Sequence, residues 1–278
     1  LCCSCRCRCR SLWPQGADVS MGAQKLSSQG QRVESAAYVH VHCASAKGVI
    51  SERFVFQRGN RMFLPDSGSY EALYRQFSWQ IPADFNIGRA VSDDWAARDP
   101  DRVCLEHFSA DGRHPVMTYG ELSAQSAAFA NALTALGVKA GDRVALLLPQ
   151  SFETVIAHVA IYKMGAIALP LALLFGVEAL EYRLRAAGAT AIVTNEFGLS
   201  RLSEIRDRLP DLRQVITTGV PGGGLHGFAD LVAAHPPLFE VAETGPDTPA
   251  LMIFTSGTTG PPKGALHGHR VLPGHLPG

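Results

Sequence analysis

No apolar run in this 278-residue sequence is long and unbroken enough to be read as a membrane span. The nearest approach, residues 155–175, is interrupted by His158, Lys163, Gly165 and Pro170, and these stop signals divide it into two buried elements. Net charge is also missing, with 25 Lys+Arg against 25 Asp+Glu. The basic first sixty-one residues could signal nucleic-acid or membrane contact, but they are read as foreign to the fold, and no nucleic-acid partner is expected. No secretory signal is visible, since the arginines at the start are not followed by an apolar segment. Disulfide frameworks are excluded too: beyond the first nine residues only Cys43 and Cys104 remain, far apart, as suits a reducing compartment and a cytoplasmic location. No repeat of fixed period stands out.

The neutral balance hides an asymmetry. Residues 1–61 carry nine basic and three acidic side chains, and the remainder sixteen and twenty-two. Five of the seven cysteines sit at positions 2, 3, 5, 7 and 9, alternating with Arg6, Arg8 and Arg10 at the end of the run. A thiolate metal site would need a second cysteine group to close it, and none exists; the arginines would also repel a cation. The same arginines follow a period of two, so no amphipathic transit helix emerges. Residues 1–61 show no sustained helical or strand period, and the expectation is a leader foreign to the fold. Met62 is then the preferred natural start, with Met21 second, and residues 62–278 form the folded domain.

Folded character begins with Tyr74, Phe77, Trp79 and Ile81. A helix is expected over 86–97, capped by Asn86, with Ile87, Val91 and Trp95 on one face. Asp111-Gly112 separates two strand-like runs, 103–107 and 115–118, as a hairpin turn does. Thr118 and Glu121 have the spacing of a capping box, and Leu122, Phe129, Leu133 and Leu136 line the helix behind it, which Gly137 stops. Strands are then expected at 144–148, 167–169, 191–194 and 214–217. Helices are expected between them: from Ser151 through Met164, over 177–187 with Gly188 beyond, and over 199–209. A further helix is read over 228–234. Nearly continuous apolar strands alternating with amphipathic helices imply an α/β fold, a parallel sheet with helices on both faces.

The most informative stretch follows. A strand-like apolar run, 251–254, enters Thr255-Ser256-Gly257-Thr258-Thr259-Gly260-Pro261-Pro262-Lys263-Gly264. Glycines let a backbone approach a polyphosphate and turn its N–H groups inward, hydroxyls donate further hydrogen bonds, and a lysine adds mobile positive charge. The alternative is a plain flexible loop, which the strand, paired prolines and Lys-Gly closure argue against. The pattern is not a Walker loop, because Pro262 precedes the lysine and Gly264 follows it.

Residues 255–264 resemble the phosphate-binding signature of the adenylate-forming (AMP-binding) superfamily, which includes acyl-CoA synthetases. Weaker matches run in order from about Tyr74: Thr118-Tyr119-Gly120-Glu121-Leu122, Gly141-Asp142-Arg143-Val144-Ala145, Lys163-Met164-Gly165-Ala166 and Glu181-Tyr182-Arg183-Leu184. The entry segment Trp79-Gln80-Ile81-Pro82-Ala83-Asp84-Phe85-Asn86-Ile87-Gly88 is most similar to short- and medium-chain acyl-CoA synthetases. The resemblance implies that a carboxylic acid attacks ATP to give an acyl-adenylate and pyrophosphate, and that coenzyme A then displaces AMP. It also implies that Thr255, Ser256, Thr258 and Thr259 donate to phosphate oxygens, that Gly257 and Gly260 admit the backbone, and that Lys263 stabilises charge as pyrophosphate forms. Mg²⁺ is implied, though the motif offers it no carboxylate.

Other candidates carry less. His267, His269 and His275 lack acidic or cysteine neighbours and are expected to be solvated or substrate-facing rather than metal ligands. Lys163 reads as a helix-end charge, and Asp93, Asp94 and Asp99 as a solvated face and its loop. After the loop the family continues as a helix, which Pro273 and Pro277 would break. The family's adenosine-binding motifs and small C-terminal domain lie downstream of this loop, so an N-terminal fragment, inactive alone and aggregation-prone, is expected. A carrier-protein-loading adenylation module and a non-catalytic product remain as alternatives.

Overall fold

The computed structural model describes residues 38–40, 68–108, 112–255 and 260–276, all within one compact unit, Ala37–Gly278. The cysteine-rich head, Met21 and Met62 lie outside the described residues, as does the stretch 256–259.

Ten strands and eight α-helices are present among the described residues. A three-stranded antiparallel sheet is made by β1 (Tyr38–His40), β2 (Val103–Phe108) and β3 (Val116–Thr118), with β2 central. The β2–β3 hairpin matches the sequence reading. The strand β1 does not, since no period in the first sixty residues announces it; its pairing with β2 is a backbone ladder, which leaves no mark on side-chain pattern.

Helix α1 (Tyr70–Gln76) opens on Ser69, whose hydroxyl accepts from the Ala72 N–H. The helix expected over 86–97 is irregular: a π-helical segment, Arg89–Asp93, runs into the short α2 (Asp94–Ala96). Asn86 still acts as a cap, its Oδ1 accepting from the Arg89 N–H at 3.2 Å. The capping box forms in full at α3 (Tyr119–Ala135): Glu121 N–H donates to Thr118 Oγ1 at 3.2 Å and Thr118 N–H to Glu121 Oε2 at 2.8 Å.

The larger sheet holds β4 (Arg143–Leu147), β5 (Ile167–Pro170), β6 (Ala189–Thr194), β7 (Gln214–Thr217), β8 (His226–Gly227), β9 (Pro249–Thr255) and β10 (Lys263–Gly268). Its order is β10-β9-β5-β4-β6-β7-β8, parallel throughout except for the antiparallel β9–β10 pair. The connecting helices are α4 (Phe152–Lys163), α5 (Val177–Ala187), α6 (Glu196–Ser203) and α7 (Phe228–Ala234). Ser151 caps α4, and Gly188 ends α5 in the left-handed region at φ +57°, where a side chain would be strained. Helix α6 begins three residues earlier than expected because Asn195 caps it, and it gives way to a 3₁₀ turn, Arg206–Arg208.

Alternate residues along each central strand enter opposite cores. Val144, Leu146, Ala168, Ala191 and Val193 pack with Phe129 and Leu133 of α3, Ile156 and Ala160 of α4, and Phe228 of α7. Ala145, Leu147, Leu169 and Ile192 pack with Leu180 and Leu184 of α5 and Leu202 of α6. Both faces of the sheet are therefore covered, as the continuous apolar strands required. The chain steps from β4 to β5, then returns past β4 to β6, and right-handed crossovers in opposite directions place α4 and α5 on opposite faces. This sets α5 beside the β9–β10 hairpin.

The continuation after the loop differs from the family pattern expected. Strand β10 follows at once, and only then a short helix, α8 (Val271–His275). Pro273 does not break it, because it lies in the first turn, where a missing N–H costs no intrahelical bond. Pro277 lies outside the described residues.

Candidate functional site

The phosphate-loop candidate joins the carboxyl end of β9 to the start of β10. Thr255 and Lys263 are directly paired across the mouth of this hairpin, and Thr255 Oγ1 donates to the Lys263 carbonyl at 3.5 Å. Both residues are exposed. Gly260 takes φ +94°, a conformation that a side chain would strain. Gly264 is pressed on β9: a Cβ there would stand 3.1 Å from Met252 Sδ and 3.4 Å from Phe254 Cζ. Of the sequence candidates, Thr255, Gly260 and Lys263 thus lie together at one end of the sheet. Ser256, Gly257, Thr258 and Thr259 are outside the described residues.

Helix α5 supplies neighbours that no period in the sequence singles out. Tyr182 Oη donates to the Pro262 carbonyl at 3.0 Å, one residue before Lys263, and its ring meets Phe254 edge-on at 6.4 Å. The Arg183 guanidinium lies 3.9 Å from the Phe175 ring centroid and 5.9 Å from that of Phe254. Arg183 is buried, donates to the Ala179 carbonyl at 2.8 Å, and leaves its Nε without a partner among the described residues.

Three expectations about charged residues are corrected. His269 is not solvated: it is fully buried, and its Nδ1 accepts from the Ile87 N–H at 3.0 Å. That bond places its proton on Nε2, which has no partner among the described residues, and burial pushes the imidazole down to about 4. His267 is half-buried and His275 exposed. Lys163 does end α4, but it is more than a helix-end charge: only 1% of its side chain is exposed, and Nζ donates to Asp93 Oδ1 at 2.6 Å and to the Ser123 carbonyl at 3.1 Å. Burial lowers Lys163 below its ordinary value, opposed by Asp93. Asp93 in turn accepts from Ser123 Oγ at 2.6 Å, so it belongs to this ion pair and not to a solvated face. Asp94 is half-buried and raised by desolvation first, against the pull of Arg98 and Arg89, whereas Asp99 is exposed.

A cavity of about 420 Å³ lies elsewhere, lined by Val116, Phe152, Ile156, Phe228 and Val232 with Glu121 and Glu153. None of its lining comes from the β9–β10 hairpin, so it is separate from the loop. Among the described residues, no group of three His, Cys, Asp or Glu could hold a metal ion, and no helix is long and apolar enough to cross a membrane.

Residues 92–273 match the family described as AMP-binding enzyme. The chain belongs to that family. Helices α3 to α7, the larger sheet and the β9–β10 hairpin all fall inside the matched span. This AMP-binding chain is 31% identical over 199 residues to human mitochondrial acyl-coenzyme A synthetase ACSM4, covering 69% of this chain and 34% of that protein. Among solved structures, it is similar to a Brucella canis acyl-CoA synthetase, with a TM-score of 0.66, 29% identity and coverage of 74% and 39%. It is also similar to the anthranilate CoA ligase AuaEII in complex with anthranoyl-AMP, with a TM-score of 0.63, 30% identity and coverage of 68% and 36%. The chain spans about a third of the length of the relatives it matches.

Proposed function

We propose that the protein to which this chain belongs is an ATP-dependent acid–thiol ligase. It joins a carboxylic acid to ATP, releasing pyrophosphate and forming an acyl-adenylate, and then transfers the acyl group to coenzyme A with release of AMP. The observation that carries the reading is the pairing of Thr255 with Lys263 at the hairpin mouth, inside the span that matches the AMP-binding family.

The attacking carboxylate is already an anion at neutral pH, so the first step needs positioning and charge compensation and no strong base. Thr255, Ser256, Thr258 and Thr259 donate to the phosphates, Gly257 and Gly260 admit the backbone, and Lys263 offsets charge on the departing pyrophosphate. The described residues do not assemble a Mg²⁺ site, so no step is assigned to that ion; it accompanies the nucleotide on its phosphates. Coenzyme A is favoured over a carrier protein as the acceptor because the similar proteins are named as coenzyme A synthetases and a CoA ligase. The substrate class is a small carboxylic acid, and the working compartment is the cytoplasm. The domain is taken to run over 62–278, with 1–61 as leader apart from Tyr38–His40, which pairs with β2.

The test is titration calorimetry of this chain with Mg-pyrophosphate and Mg-ATP. Saturable binding is expected, weakened about tenfold in Lys263→Ala, the worth of one charge-assisted contact. Absence of binding in the unaltered chain would refute the reading. Carboxylate-dependent pyrophosphate exchange is expected only from a protein that also carries the segments corresponding to the rest of the relatives' length.

A further inference from the structure

We infer that Tyr182 is a positioning residue for the limb of the loop that carries Lys263. The inference rests on the phosphate reading above for its consequence, but its structural content stands apart from it.

Three observations converge on this side chain. First, among the described residues the backbone pairing that joins β9 to β5 lies at Ala168 with Leu251, near the end of β9 far from the loop, so that ladder does not reach the loop end. The limb at Pro261 and Pro262 has no amide hydrogen to give, since both are prolines, so it can be tied down only through its carbonyls. Second, the Tyr182 hydroxyl takes up the Pro262 carbonyl at 3.0 Å, across 80 positions of sequence, and so links α5 to the residue preceding Lys263. Third, the ring that carries this hydroxyl is held independently of it. Phe254 meets it edge-on, and the Arg183 guanidinium sits between Phe175 and Phe254. Removing the hydroxyl therefore leaves the ring seated and deletes only the tie.

Lys263 is the last residue of the β9–β10 ladder, and looser seating of the limb before it would let its side chain sample positions away from the phosphates, so part of its binding would be spent on reordering it. The tie removes that cost before the ligand arrives. Because Tyr182 is more than a third exposed, its bond is open to competition from water, and the effect is set at the lower end of what one hydrogen bond supplies.

Tyr182→Phe in the full 278-residue chain provides the test, in two measurements. Amide hydrogen exchange at Lys263 and Gly264 is expected to quicken about threefold to fivefold, the worth of one part-exposed bond, with β4 to β7 and the melting temperature unchanged. Mg-pyrophosphate binding is expected to weaken by a similar factor in an otherwise unaltered chain, and by nothing further when Lys263→Ala is already present. Unchanged exchange at Lys263 would overturn the positioning role whatever the ligand result. Faster exchange with additive losses in the double variant would overturn action through Lys263. If the unaltered chain binds no pyrophosphate while exchange quickens, the tie is upheld and the phosphate reading fails, so the two failures are distinct.

Discussion

The Lys163–Asp93 pair makes a demanding test because its two members should not be equivalent. Lys163 is sealed, with 1% of its side chain exposed, whereas 29% of Asp93 is exposed. Replacing Asp93 by Ala leaves a buried ammonium whose remaining acceptor is the Ser123 carbonyl. Breaking a buried pair in this way typically costs about 3–5 kcal/mol, and access of water at the Asp93 position places the loss near about 3 kcal/mol. Replacing Lys163 by Met keeps the apolar stem, against which Gly88 is packed, and removes the buried charge. Asp93 is then still served by the Ser123 and Ser92 hydroxyls and by solvent, so the loss should be about 1 kcal/mol. Urea unfolding followed by circular dichroism at pH 7 should show Asp93→Ala less stable than Lys163→Met by about 2 kcal/mol, with unchanged dependence on denaturant. The double variant should resemble Lys163→Met alone, since no charge is left stranded. Burial already lowers Lys163, so the Asp93→Ala deficit should shrink as pH rises and the amine releases its proton. Equal losses in the two single variants, or a double variant that sums them, would refute the reasoning.

Three further outcomes follow from the same packing. His269 is buried neutral with its pKa near 4, so below about pH 6.5 the unfolded chain holds more proton than the folded one, and stability falls with acidification. Between pH 7.5 and 5 its share of that loss is about 2 kcal/mol, and the stability gap between the unaltered chain and His269→Asn should narrow by that amount in urea titrations. Gly88→Ala would place a Cβ 2.8 Å from the Lys163 backbone nitrogen and 2.8 Å from the Val159 carbonyl. Backbone cannot yield as a side chain can, so a loss of about 2–3 kcal/mol is expected by chemical denaturation. Thr118→Ala removes one half of the α3 capping box and should lower stability by about 1 kcal/mol, while Thr118→Ser should recover most of it.

Local chemistry was well marked in the sequence. The capping box at Thr118 and Glu121, the Ser151 cap and the Gly188 stop each need only neighbours within a few positions, and strands β4 to β7 stand out by their apolar runs. What escaped notice depends on partners far away. Lys163 meets Asp93 across 70 positions, His269 meets Ile87 across 182, and Tyr182 meets Pro262 across 80. Nothing in a helical or strand period encodes such meetings, so the ion pair of a helix-end lysine goes unseen and a core histidine reads as a solvated one. The π-helical segment at Arg89–Asp93 is hidden for a related reason. Asn86, Gly88 and Asp93 all meet the end of α4, so the segment's surroundings lie far away in the sequence.

The pairing that joins β9 to β5 also bears on the order in which the molecule is made. Strands β4 to β7 pair across shorter stretches of chain than β9 does with β5, and they and the helices between them emerge from the ribosome before β9, so they close first. Leu251 must find Ala168 over a separation of more than eighty residues, after that body is in place. The β9–β10 hairpin, with the candidate loop at its tip, is thus the last part of the larger sheet to be delivered, and it docks against a template already built.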